Sequence, residues 1–261
     1  MARFGRPART RVTTMAAMNS SSPLRWLLRA GVAVLAPGAG AAAAATDVPD
    51  PMQQRVAACA SCHGARGEGL PGDAKVPRLA GKPAAYLQQQ LASFQSGRRH
   101  HAAMEYVVRQ LSPDYLRQIA EYFAAQQVPY RRQAAPAVAA AAMQRGEQLV
   151  RHGDPSRGVP SCASCHGDTL TGVEPMMPGL AGLSYAYIDA QLDAWRTHQR
   201  VADGPGCMVV VANRMTGDDV AAVAAWLASQ PPPADMHPVP AGAQREPLPG
   251  WCVPGNGGVN P

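Results

Sequence analysis

The chain has 261 residues, 46% of them hydrophobic but only 5% aromatic, with 24 Lys and Arg against 18 Asp and Glu. Six of the basic residues and none of the acids lie ahead of Thr46, so the rest of the chain is formally neutral. The nucleic-acid partner that a net charge of +6 would invite is therefore excluded.

Residues 1–45 read as a signal peptide with an N-terminal extension. Arg25 and Arg29 flank Trp26, Leu27 and Leu28, an apolar run continues through Gly31 to Leu35, and Ala41 to Ala45 offer a small-residue cleavage site. Cleavage near Ala45 and export to the periplasm are expected, with Met15 or Met18 as an alternative start. A retained anchor is the weaker reading, because the run falls short of the roughly 20 residues of a span and is interrupted by Arg29 and Pro37.

The remaining elements are helical. Pro51 to Ala60 leads into Cys59-Ala-Ser-Cys62-His63-Gly64. Pro83 suits the start of a helix that carries Leu87, Leu91 and Phe94 on one face, and Ser112-Pro113-Asp114 opens another with Leu116, Ile119, Ala120 and Phe123 inward. After a linker at 133–136, a helix from Ala137 to Arg151 precedes Cys162-Ala-Ser-Cys165-His166-Gly167, with an insertion from His152 to Pro160 between them. Ser184 caps a helix with Ile188, Leu192 and Trp195; Thr216, Asp218 and Asp219 open the last, with Val220, Val223, Ala224 and Leu227 inward. Residues 231–261 form a tail that contains nine prolines.

The two halves, 46–132 and 137–230, repeat one plan. Pro77-Arg-Leu-Ala-Gly81 matches Pro178-Gly-Leu-Ala-Gly182, and Tyr86, Leu91 and Phe94 match Tyr187, Leu192 and Trp195 at the same offset of 101. Further on, Met104 and Leu111-Ser112 match Met208 and Met215-Thr216 at an offset of 104.

Cys-x-x-Cys-His is the attachment signature of c-type haem. Cys59 and Cys62, then Cys162 and Cys165, would add across the vinyl groups, and His63 and His166 would each bind an iron, giving two covalently bound haem c. A zinc ribbon wants its Cys pairs about 15 to 20 residues apart, whereas these lie 103 apart. Three Phe, seven Tyr and four Trp leave each half short of large apolar side chains, so the porphyrin is expected to complete the core and the haem-free chain to be unfolded or molten.

A Met thioether opposite His suits an electron-passing haem and raises its potential. The repeat picks out Met104 and Met208, while Met143 and Met215 are read as core and Met176 and Met177 acquire no ligand role. His100 and His101 are rivals in the first half with no match in the second, and His198 is read as a surface residue. Each proximal His is expected to be oriented by a backbone carbonyl. Arg78 and Lys82 are read as an exposed basic face, with haem propionates as the alternative partners.

This set of features resembles the cytochrome c4 family over about residues 50 to 230: tandem class I modules, each with Cys-Ala-Ser-Cys-His-Gly, a Pro-x-Leu-Ala-Gly segment, a Tyr-led helix, a Met and a closing helix. The resemblance implies an all-α fold of two cytochrome c domains. It also implies a periplasmic electron carrier, soluble or membrane-associated, that passes electrons from a respiratory donor complex toward a terminal oxidase and takes no small-molecule substrate. Carried over by position, His63 and Met104 ligate the first haem and His166 and Met208 the second.

Three features depart from that plan: the insertion, the tail, and Cys207 immediately before a proposed ligand. Cys207 and Cys252 are expected to form a disulfide in an oxidising compartment, closing a loop worth roughly 3–4 kcal/mol; the alternative is a free Cys207, able to compete for iron, and a loose tail. Charge divides as 11 basic against 7 acidic residues over 46–136 and the reverse over 137–261, a dipole suited to orienting a carrier on charged partners. Two other readings remain: a cytochrome subunit of a dehydrogenase that oxidises a sulfur compound or an alcohol, and a dihaem peroxidase or thiosulfate-oxidising enzyme with an unusual second-haem ligand.

Overall fold

Each half of the chain builds short helices around its own Cys-x-x-Cys-His segment. The computed structural model describes residues 51–201, 206–231, 233–243 and 248–252. The signal peptide and cleavage site expected from the sequence, and the end of the tail, lie outside them.

In the first half, α1 (Met52–Arg55) and α2 (Ala57–His63) are followed by α3 (Ala84–Gln95), α4 (Ala102–Val108) and α5 (Pro113–Ala124). The hydroxyl of Ser112 accepts the Tyr115 amide and starts α5, which buries Leu116, Ile119, Ala120 and Phe123 on the face predicted for it. Tyr115 and Arg55 tie α5 back to α1: the Tyr115 hydroxyl donates to the Arg55 carbonyl at 3.0 Å, and the Arg55 guanidinium lies 4.4 Å from the Tyr115 ring centroid.

The second half repeats this order with α6 (Ala140–Arg151), α7 (Cys162–His166), α8 (Tyr185–Arg196), α9 (Cys207–Asn213) and α10 (Gly217–Ser229). Ser161, Ser184 and Thr216 each cap the helix that follows, Thr216 through a reciprocal pair with Asp219. Helix α10 crosses α6 so closely that a Cβ at Gly146 would run into the Ala222 carbonyl. The predicted insertion becomes a 3-10 turn, Pro155–Arg157, closed by Asp154 and Val159. Arg145 and Arg157 both pair with Asp154 and with Asp219, at 2.7 to 2.9 Å, and so fasten the insertion to α6 and α10.

The fold is mostly helical, with one addition that the all-α reading did not contain. Strands β1 (Gly172–Val173) and β2 (Met177–Pro178) pair antiparallel, Gly172 opposite Pro178. Their length of two residues each is too short to leave a period in the sequence. The predicted start of α6 at Ala137 moves to Ala140, because a run of alanines after Pro136 contains no capping residue to mark the boundary. Among the described residues no helix is long and apolar enough to cross a membrane.

Candidate haem-binding site

The two proximal histidines are held alike. His63 ends α2 and its Nδ1 donates to the Pro77 carbonyl at 3.0 Å; His166 ends α7 and its Nδ1 donates to the Pro178 carbonyl at 2.7 Å. These carbonyls stand at the repeat offset of 101. A carbonyl can only accept, so Nδ1 carries the proton and Nε2 keeps its lone pair for a metal. Burial, and beyond it the neighbouring positive charges, hold both imidazoles below their ordinary pKa, which keeps them neutral and able to ligate.

His166 faces a cavity of about 780 Å³, within the range of cofactor pockets. Cys162, Cys165 and Met208 line the same cavity, so the structure brings together every residue that the sequence assigned to the second haem. Burial pushes the Cys162 thiol up to about 12. Conversion to a thioether removes the charge that such a wall would have to desolvate. Met176 and Met177, which the repeat left without a role, also line this cavity, and Met215 lies in the core as predicted from its place opposite Leu111.

In the first half Cys59 packs against Val56, Leu87, Ile119 and Phe123, and Met104 packs against Phe94, Val108 and Leu116. Leu91 and Leu111 touch both clusters and join the Cys side to the Met side. Of the rival histidines, His100 is exposed and pairs with Glu105 at 3.3 Å, while His101 keeps a buried, unbonded Nδ1.

The wall between the halves is where the structure corrects the sequence. Arg78 and Lys82 do not form an exposed basic face: they are 5% and 6% exposed. Arg78 donates to the carbonyls of Ala80, Val128 and Pro129 and stacks on Tyr130. Lys82 reaches across to the second half, its Nζ donating to the Gly179 carbonyl at 2.7 Å, and burial pushes it down to about 8.

Around Lys82 the repeat generates a symmetric cluster that the sequence reading missed. Arg99 donates to Tyr187 Oη and Gln191 Oε1, both at 2.8 Å; Arg200, its counterpart at the offset of 101, donates to Tyr86 Oη at 3.4 Å and Gln90 Oε1 at 2.6 Å. Their backbones form an antiparallel bridge. The signal was available, since Tyr86, Gln90 and Arg99 all recur 101 residues later, but only the tyrosine had been matched.

No carboxylate among the described residues pairs with Lys82, Arg99 or Arg200. Burial opposes ionisation of Tyr86, yet Arg200, Arg99 and Lys82 outweigh it and draw its phenol below the ordinary range, the mark of a site with net positive potential. Lys82, Tyr86, Arg99, Tyr187 and Arg200 all line the 780 Å³ cavity. An apolar chamber that ends in unneutralised cations fits an apolar plate with an acidic edge, the shape of haem with its two propionates.

Cys207 and Cys252 are joined in a disulfide, with Cα atoms 5.1 Å apart. The thiolate that could have competed with Met208 for iron is thereby removed.

The cytochrome c family pattern matches residues 53–135 and again 143–231. The chain is 42% identical over 175 residues to the thiosulfate dehydrogenase electron acceptor of Thiomonas intermedia, covering 67% of this chain and 79% of that one. It is 32% identical over 203 residues to cytochrome c4 of Pseudomonas aeruginosa, covering 77% and 94%. Among solved structures, the thiosulfate dehydrogenase of Marichromatium purpuratum aligns with a TM-score of 0.58 and 34% identity, over 69% of this chain and 39% of that longer one.

Proposed function

This chain belongs to the cytochrome c family as a tandem dihaem relative of cytochrome c4, and from that premise we propose that it is a periplasmic electron acceptor for a dehydrogenase that oxidises thiosulfate. The observation that carries the finer reading is the 42% identity, over 79% of its length, to a protein of that description. The haems supply a one-electron iron couple at each site and make or break no substrate bond.

The residues of this chain bind, orient and exclude. Cys59 with Cys62, and Cys162 with Cys165, hold the macrocycles covalently. Pro77 and Pro178 orient His63 and His166 through Nδ1, and Met104 and Met208 would supply the second protein ligand to each iron. With each iron held by a His and a Met, neither site would take an exogenous substrate, and the protein would relay electrons while the dehydrogenase performs the oxidation. Arg99 and Arg200 hold the two halves in one arrangement, which favours transfer between the sites by fixing their separation.

The second reading, a respiratory carrier delivering to a terminal oxidase, rests on the 32% identity to cytochrome c4. The two are separated by mixing oxidised holoprotein with a purified thiosulfate dehydrogenase catalytic subunit and thiosulfate. Reduction of both haems that requires all three components supports the acceptor reading. No reduction there, together with rapid reduction by a quinol-oxidising respiratory complex, would overturn it in favour of the carrier.

A further inference from the structure

The tail after α10 has no counterpart in the first half, and it is built into the second site at both ends. At its near end Val239 lies alongside β1: its amide donates to the Gly172 carbonyl at 2.9 Å and its carbonyl accepts from the Glu174 amide at 2.9 Å. Its side chain reaches Gly167, the residue after His166, where an added Cβ would lie 3.6 Å from Val239 Cγ2. At its far end Cys252, 3% exposed, closes the disulfide to Cys207, the residue before Met208.

Between these anchors Gly242, Leu248, Trp251 and Cys252 form part of the wall of the 780 Å³ cavity. Trp251 is steadied by the Arg214 guanidinium, 5.3 Å from its ring centroid. The tail thus starts at the His166 side of the chamber and finishes at the Met208 side.

We propose that this segment is a strap that positions Met208 and closes the second haem site against solvent, with the Cys207–Cys252 disulfide as its latch. Helix α9 has only seven residues, and Cys207 is its first. Fastening that end to a buried Cys252 limits how far Met208 can swing from the iron. The aromatic wall of Trp251 denies entry to small ligands that compete with a thioether. Among the described residues the first site has neither restraint, so the strap makes the two sites unequal. The inference rests on Met208 being a ligand, which near-infrared spectra check separately: Met-to-ferric-iron absorbance that Met208→Ala reduces supports it, and absorbance that the substitution leaves unchanged fails it.

The test is imidazole binding to the oxidised holoprotein, followed by loss of that near-infrared band, in wild type, Cys252→Ser and Trp251→Ala. Imidazole must wait for an open second site, so unlatching the strap raises its apparent affinity there by about tenfold, the gain when a minor open state becomes the main one. The phase that carries half the absorbance change moves, and the other half stays at the wild-type value. Unchanged binding at both haems, or equal changes at both, would overturn the proposal. If Cys252→Ser fails to retain its second haem, Trp251→Ala, which keeps the disulfide, decides alone.

Discussion

Asp219 is the most heavily loaded side chain outside the haem sites. Burial opposes its ionisation, but Arg157, the Thr216 amide and Arg145 outweigh that and hold the carboxyl far below the usual range. A carboxylate with a lowered folded pKa contributes stability above its unfolded value of about 3.9 and loses it as pH falls through the folded value. The second half should therefore lose thermal stability on acidification below about pH 4. Asp219→Asn reduces that dependence, leaving the part carried by Asp154, which Ser156, Arg145 and Arg157 also hold below the usual range, and costs about 2 kcal/mol at neutral pH, the upper end for loss of a cap; melting followed at the second haem's absorbance checks both. Lys82 makes a complementary point, since a buried cation beside the second site opposes the ferric charge. Lys82→Met is expected to lower that haem's potential by on the order of 1 kcal/mol, about 40 mV for one electron, measured by redox titration. The cysteines and proximal histidines are legible because each Cys-x-x-Cys-His motif contains them, whereas Met104 and Met208 are singled out only by the repeat. The carbonyls of Pro77 and Pro178 are not legible, because any backbone carbonyl looks alike in a sequence and only the chain path brings these two to Nδ1.

Among the helices, those with a cap and several turns were readable. Helices α3, α5, α8 and α10 each run for 12 or 13 residues behind a Pro, Ser or Thr, long enough for apolar spacing to repeat. Helices α4 and α9 have seven residues each and no side-chain cap, so their Met could be placed by the repeat but their helicity could not. The α6–α10 crossing is set by Gly146, and its tightness predicts that Gly146→Ala costs about 1–3 kcal/mol, the range for overpacking. Denaturant melts of the holoprotein, compared with an alanine substitution at exposed Gln144, measure the cost against a helix-favourable background. At Gly182, with φ of +72°, a Cβ would collide with Tyr130, so the Pro-x-Leu-Ala-Gly segment ends in glycine for two reasons at once: the left-handed turn and the approach of the segment from the other half.

For the molecule as a whole, the repeat could be read as two modules but not as one joined object. Charge counts place an excess of base in the first half and of acid in the second, but they include residues that do not face solvent. At the seam Lys82 and Arg200 are buried and Arg99 is half-buried. Their partners lie roughly 100 residues away in the chain, and local spacing carries no trace of a contact at that range. What the sequence does carry is the offset of 101 shared by the Pro-x-Leu-Ala-Gly segments and the Tyr-led helices, which also pairs Arg99 with Arg200.

The unneutralised seam also bears on how the protein is made. Two guanidinium groups and an ammonium brought together without a carboxylate repel, so the halves gain little from closing until acidic groups arrive between them. Haem attachment at the second motif then acts as a checkpoint on assembly, because the seam cations line that site: a chain loaded only at the first motif has one ordered module and an open joint. Removing Cys162 and Cys165 by substitution with alanine should yield a single-haem protein whose radius of gyration, by solution X-ray scattering, exceeds that of the fully loaded protein, and whose 133–136 linker is cut faster by protease. A purified preparation would then hide its immature members in shape rather than in sequence, and compactness would report the completion of the second attachment.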